Sequence, residues 1–249
     1  MLNDLLLLSG NDIPFKSASL IIHQPTIKEI AYIGEEAFFT GCDFLKFSKE
    51  RLKEEDKIHL VELTNFDILM SISMTNDIEM QKRKTYMLMV LSLMFPQYTI
   101  SLNQKYILFK TLEGQEFKID NSNFEEFKKI LDLMFCLNVG EGEGSESYNS
   151  QDALAERIAK KLKERHQKLN ELKSADGNQK IAILSRYISI LAVGQQKDMN
   201  SLLNYTVYQL FDEFNRYELK LNYDIYLQAK MAGAKDLKEV EDWMKDIHP

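Results

Sequence analysis

The stretch YTVYQLFDEFNRYELKLNYDIYLQAKMAG, residues 205 to 233, runs without glycine or proline until Gly233 and constrains the fold more than any other segment. Helix breakers are absent, and apolar residues recur at steps of three and four. The spacing therefore predicts one long amphipathic helix. Val207, Leu210, Phe211, Phe214, Tyr217 and Leu221 fall on one face of it. Each large side chain contributes about 1.5 to 3 kcal/mol when buried, so this stripe must meet another apolar surface. Two surfaces are open to it. One is an internal core shared with the short apolar helix predicted over residues 179 to 193. The other is a partner helix, which the tyrosines at 205, 208, 217, 223 and 226 would suit because their rings are apolar and their hydroxyls are not. Gly233 supplies a stop, and a last short helix over Asp236 to Met244 would carry Leu237, Val240 and Trp243, the only tryptophan, which would lock the tail down.

The rest of the chain divides at VGEGEGSESYNSQ, residues 139 to 151. Residues 140 to 151 hold three Gly, three Glu and three Ser, too little apolar surface to offset the entropy of ordering the backbone. The expected organisation is a small α+β domain over 1–138, a flexible acidic linker over 139–151 and an all-α domain over 152–249. The fold class is α+β, mainly α. In the first domain SLIIHQP reads as a strand closed by Pro25, and Thr26 with Glu29 opens a helix carrying Ile27, Ile30, Ile33 and Phe38, interrupted at Gly34. A charged helical run is expected at 49 to 62, and a second helix at 77 to 94, capped by Asn76 or Asp77. After Pro96, alternation around Tyr106, Leu108, Phe117 and Ile119, with a turn at Glu113-Gly114, predicts two or three antiparallel strands. Asn121 or Ser122 then caps a helix with Phe124, Phe127, Leu131 and Met134 on its inner face. Downstream, 152 to 173 reads as a charged helix ending at Ala175 to Asn178, and Asn200-Ser201 opens the run that leads into the aromatic stretch.

Chemistry-bearing patterns are sparse. His23, His59, His166 and His248 show no metal-ligand spacing, and Cys42 and Cys136 are distant from each other in apolar surroundings, as buried reduced thiols are. No metal, no cofactor and no enzymatic activity are expected. Glu35-Glu36 are adjacent, so on a helix they do not face each other and read as a solvated acidic edge. A net charge of −7 opposes nucleic acid and anionic membranes. The basic residues of 152 to 173 pair with glutamates four positions away, as in Glu156-Lys160 and Glu164-Lys168, which argues for a solvated face rather than a nucleic-acid site. MLNDLLLLSG lacks a basic start and reads as neither signal peptide nor membrane span, and YMLMVLSLMF at 86 to 95 is too short to cross a bilayer.

Two segments carry a resemblance: IIHQPTIKEIAYIGEEAFF at 21 to 39, through His23-Gln24-Pro25-Thr26 and Gly34-Glu35, and 206 to 248, through Asp242-Trp243-Met244-Lys245. Together they resemble tail-region proteins of phages and prophages of low-GC Gram-positive bacteria, most of all the tail assembly chaperones. The resemblance implies a non-enzymatic factor in the host cytoplasm that binds and shields helical tape measure protein during tail assembly. Its partner-binding face would be Val207, Leu210, Phe211, Phe214, Tyr217, Leu221 and Trp243. Other tail proteins, or further copies of the chain in a homo-oligomer, are the remaining partners it implies. The alternative from the same gene cluster is a permanent virion protein of the tail or head-tail junction.

Overall fold

The computed structural model describes residues 4–49, 63–137, 182–232 and 243–244. Met1–Leu137 and Leu184–Pro249 form one compact unit, whose architecture is α+β and mainly helical. The expected linker at 139–151 and the charged helices at 49–62, save Lys49, and 152–173 lie outside the described residues, as do the stop at Gly233 and residues 236–242.

The chain starts with α1 (Asp4–Ser9) and a hairpin of β1 (Ile13–Phe15) and β2 (Leu20–Ile22), paired antiparallel with Ile13 opposite Ile22. Ile13, Phe15, Leu20 and Ile22 point into the core, following the two-residue period of a pleated strand. Pro25 ends the extended run and Thr26 opens α2 (Ile27–Ile33) with a complete capping box: Thr26 Oγ1 accepts from Glu29 N, and the Glu29 carboxylate accepts from Thr26 N at 2.7 Å. The single helix expected here is two, because Gly34 stands at φ 85° and turns the chain before α3 (Glu35–Leu45).

Next come α4 (Asn65–Ser73) and α5 (Ile78–Met94). Asp77 caps α5, its carboxylate accepting from Met80 N at 2.9 Å, which settles the choice between Asn76 and Asp77. Helix α4 went unread in the sequence, although Thr64-Asn65-Phe66-Asp67 is itself a capping box, with Asp67 Oδ2 accepting from Thr64 N at 3.0 Å. A three-stranded antiparallel sheet follows: β3 (Thr99–Asn103), β4 (Tyr106–Lys110) and β5 (Glu116–Ile119), in that order. Gly114, at φ 89°, makes the predicted turn between β4 and β5. The phase of β4 is the reverse of the expected one. Ile107 and Phe109 face inward, while Tyr106 and Leu108 are half-exposed; in a pleated strand a shift of one residue exchanges the faces completely.

Helix α6 (Phe124–Met134) buries Phe124, Phe127, Ile130, Leu131 and Met134 at helical spacing. Its N-cap is Asn123 rather than Asn121 or Ser122, and the Asn123 side chain instead braces the preceding turn by accepting from Asp120 N at 2.9 Å. The Phe15–Phe127, Phe95–Phe109, Phe66–Phe124 and Phe38–Phe135 pairs, with centroids 4.5 to 5.9 Å apart, knit hairpin, sheet and helices into one core. Lys46 closes the end of α3 onto α6, its Nζ 2.6 Å from Asp132 Oδ1.

Helices α7 (Ile183–Gln195), α8 (Met199–Leu203) and α9 (Val207–Met231) complete the described chain. The run expected to open at Asn200-Ser201 is divided in two. Asp198 caps α8 and Thr206 starts α9 afresh with its own capping box to Gln209, so Asn204 and Tyr205 form a corner. Leu184, Ile188, Leu191, Leu202, Val207, Leu210 and Phe211 belong to the same buried cluster as Phe15, Phe38 and Phe127.

Gly41 lets α3 lie close against α5. A Cβ placed there would lie 2.5 Å from the Tyr86 carbonyl oxygen, a backbone atom that cannot swing aside. Gly41→Ala is accordingly expected to destabilise the protein by about 1 to 3 kcal/mol despite the better helix propensity of alanine, measured as a lower urea midpoint at unchanged slope.

Candidate interaction surface

Helix α9 is 25 residues long and so about 37 Å end to end. Its start is held by α2 and by α1. Ile27 N donates to the Tyr205 carbonyl at 2.8 Å, and Thr26 and Thr206 form an antiparallel bridge, so the first turns of α2 and α9 begin side by side. Gln209, the capping-box partner of Thr206, also donates from Nε2 to the Leu8 carbonyl at the end of α1, at 2.7 Å. Gln24, within the His23-Gln24-Pro25-Thr26 motif, is buried and spends its amide on the carbonyls of Leu6 and Asn11, at 3.1 and 2.6 Å. That motif thus acts as a junction for the hairpin, α1, α2 and α9.

Burial then falls along α9. Val207 and Leu210 are fully buried and Phe211 nearly so; Phe214 and Tyr217 are half-buried; Leu221 is 45% exposed, Ile225 55% and Met231 87%. The apolar stripe predicted as one face therefore has two parts. Its first turns pack inside the chain's own core, partly on α7 as one of the two expected surfaces. Tyr187 of α7 stacks on Phe214 at 3.7 Å with the planes 4° apart, and meets Phe211 edge-on at 5.1 Å. Burial pushes the Tyr187 hydroxyl above its ordinary range, and the nearby Glu218 adds to the shift. Gly194 near the end of α7 leaves the room that the Tyr217 ring occupies.

Polar contacts frame this packing. Lys197, after α7, reaches Glu213 Oε1 at 2.8 Å and the Tyr205 hydroxyl at 3.0 Å. Burial disfavours its charge, but these hydrogen bonds outweigh it and hold the ammonium above its usual range. Glu35 is no solvated edge. Its Oε1 accepts from Leu184 N at 2.8 Å, so a side chain from the start of α3 satisfies one of the orphan N–H groups of α7. Glu36, its neighbour, is exposed. Trp243 is half-buried and its carbonyl accepts from Arg216 Nη1 at 3.3 Å, which brings the chain's tail back beside the middle of α9.

Both thiols are raised by burial: Cys42 is fully buried, and Cys136 is pushed up to about 12, with Asp212 adding to the effect. Neither is a thiolate at neutral pH. Among the described residues no cluster of three His, Cys, Asp or Glu side chains has metal-binding geometry, and no helix is long and apolar enough to cross a membrane. The second half of α9 leaves apolar side chains exposed.

Two substitutions test the buried start of the stripe. Phe211→Ala removes a buried ring that touches Tyr187 and should cost about 3 to 5 kcal/mol. Thr206→Ala loses the cap that starts α9 and should cost about 1 kcal/mol. Both are read by chemical denaturation. An unchanged denaturation midpoint in either variant would contradict the assignment.

Comparison with known proteins assigns this same region. Residues 175–248, which include α7, α8, α9 and Trp243, match the family model of the YomV second domain. No curated protein and no solved structure matches the chain. YomV is a phage- and prophage-associated family, so the match supports a phage-related protein.

Proposed function

We propose that the protein is a non-enzymatic phage tail assembly factor, of the tail assembly chaperone kind, that binds helical tape measure protein and shields it while the tail is built. The observation that carries this reading is the second half of α9. It leaves Leu221, Ile225, Leu227 and Met231 in solvent within the segment that matches the phage-associated family. Leu221 and Ile225 lie four residues apart on one helix face, the spacing that engages a second amphipathic helix. The first half of α9 is anchored in the core, so the exposed half is presented on a fixed base and little ordering entropy is lost on docking. Of the partner face read from the sequence, Leu221 is exposed and Trp243 half-buried. Val207, Leu210 and Phe211 are already engaged inside the chain, and Phe214 and Tyr217 in large part. Shielding of this kind needs only reversible burial of apolar surface, which stabilises the bound form by mass action.

The test is co-expression with a tape measure protein of a phage or prophage of low-GC Gram-positive bacteria. The wild-type chain should co-purify with that protein. The double variant Leu221→Glu, Ile225→Glu should lose at least tenfold of the association while its own stability stays within about 0.5 kcal/mol, since both positions are exposed. Failure of two folded wild-type proteins to associate would remove the proposal. Abundant stoichiometric copies in purified particles would favour the permanent virion protein instead.

A further inference from the structure

His23 leaves β2 and enters the junction with both ring nitrogens engaged by carboxylates from different elements. Nδ1 lies 3.0 Å from Asp12 Oδ1, in the turn between α1 and β1, and Nε2 lies 3.4 Å from the carboxylate of Glu29. The same Glu29 oxygen that faces Nε2 accepts from Thr26 N and Thr26 Oγ1, at 2.7 and 2.8 Å, and so completes the capping box of α2. One residue further on, Ile27 N holds the corner at Tyr205 from which α9 departs. The ring therefore connects the N-terminal turn to the site where α2 and α9 begin.

A neutral imidazole carries one N–H, whereas the imidazolium carries two. Two carboxylates at the two nitrogens can both be satisfied only by the charged ring. We infer that His23 is a pH-dependent latch: protonated, it ties Asp12 to the capping box of α2, and on losing its proton it leaves one of the two carboxylates facing a lone pair. Asp12, at the shorter distance, keeps the remaining hydrogen, so Glu29 is the group that loses its donor and the start of α2 is what loosens.

The surroundings agree with this assignment. Among the described residues the charged groups facing the ring are Asp12 and Glu29 alone. Helix α5 contributes its C-terminal carbonyl of Met94, which accepts from the His23 backbone N at 2.8 Å. The first turn of α9 presents Thr206 and Gln209, which do not titrate, and Asp4 of α1 is exposed. Burial works against the charge on His23, but the hydrogen bonds to Asp12 and Glu29 outweigh it and raise the imidazole above its ordinary 6.5. Glu29 is held below its ordinary 4.5: burial opposes ionisation, and the Thr26 and His23 hydrogen bonds prevail. The contribution of His23 is thus complete below pH 6.5 and fades as pH rises through its raised value, while that of Glu29 is complete above pH 4.5 and fades as pH falls through its lowered value. Between those two limits the latch is closed.

The experiment is a ring-nitrogen NMR titration of the full chain, with amide exchange at Ile27 followed in parallel. Both His23 nitrogens should be protonated in mild acid with a midpoint above 6.5, and Asp12→Asn should lower that midpoint. Exchange of the Ile27 amide, normalised for its intrinsic rate, should quicken several-fold between pH 6 and pH 8.5. In His23→Gln the same exchange should no longer respond to pH. A midpoint at or below 6.5, no shift of it in Asp12→Asn, or an unchanged pH response in His23→Gln would overturn the latch. Should His23→Gln fail to fold, the wild-type titration and Asp12→Asn, which alters an exposed side chain, decide the matter.

Discussion

Burial of Val207, Leu210 and Phe211 against elements from the other end of the chain is the interaction on which the rest depends. These residues lie some two hundred positions from the hairpin that shares their core. Apolar contact with so large a sequence separation is expensive to form, because the chain must close a very long loop before any area is buried. The structure offsets that cost locally. Paired capping boxes at Thr26 and Thr206, the Ile27 to Tyr205 hydrogen bond and the Gln209 contact to Leu8 satisfy the orphan N–H and C=O groups of α1, α2 and α9 at one junction. Helix ends buried without such partners would forfeit much of what the aromatic core contributes.

That arrangement also divides one helix between core and surface. In the first three turns of α9, side chains are committed to α7 and to the N-terminal elements; beyond Tyr217 the helix presents leucine, isoleucine and methionine to solvent. A rigid base with an apolar extension suits the reversible docking proposed above. Rigid backbone limits the ordering cost of binding, and a small exposed area limits its affinity. The match to a phage-associated family falls on this region, and so does the second segment that resembles tail proteins.

Much of the fold was legible because local chemistry declared it. Thr26-x-x-Glu29, Asp77 and the Glu113-Gly114 turn are signals confined to a few neighbours, and each is found where the residues place it. The Thr64 and Thr206 boxes are equally local and could have been read: the first marks α4, and the second divides α8 from α9. The phase of β4 was harder. Tyr106, Ile107, Leu108 and Phe109 are all apolar enough to face a core, so nothing in the strand alone says which pair turns inward; packing of Phe109 on Phe95 and Tyr98 decides it. Glu35 illustrates the same limit. Its role as a cap for α7 needs a partner 149 residues away, and no spacing rule reaches that far.

By itself the sequence determined that the chain would be α+β and mainly helical, that an aromatic stripe would run along one face of a long helix after Thr206, and where several helices would begin. Those properties follow from periodicity and capping, which act over one or two turns. Only the tertiary structure decided that the stripe would be half core and half surface, and that His23 would stand between two carboxylates. Burial and ion pairing depend on which surfaces meet in three dimensions, and a one-dimensional pattern carries the need for a partner without naming it.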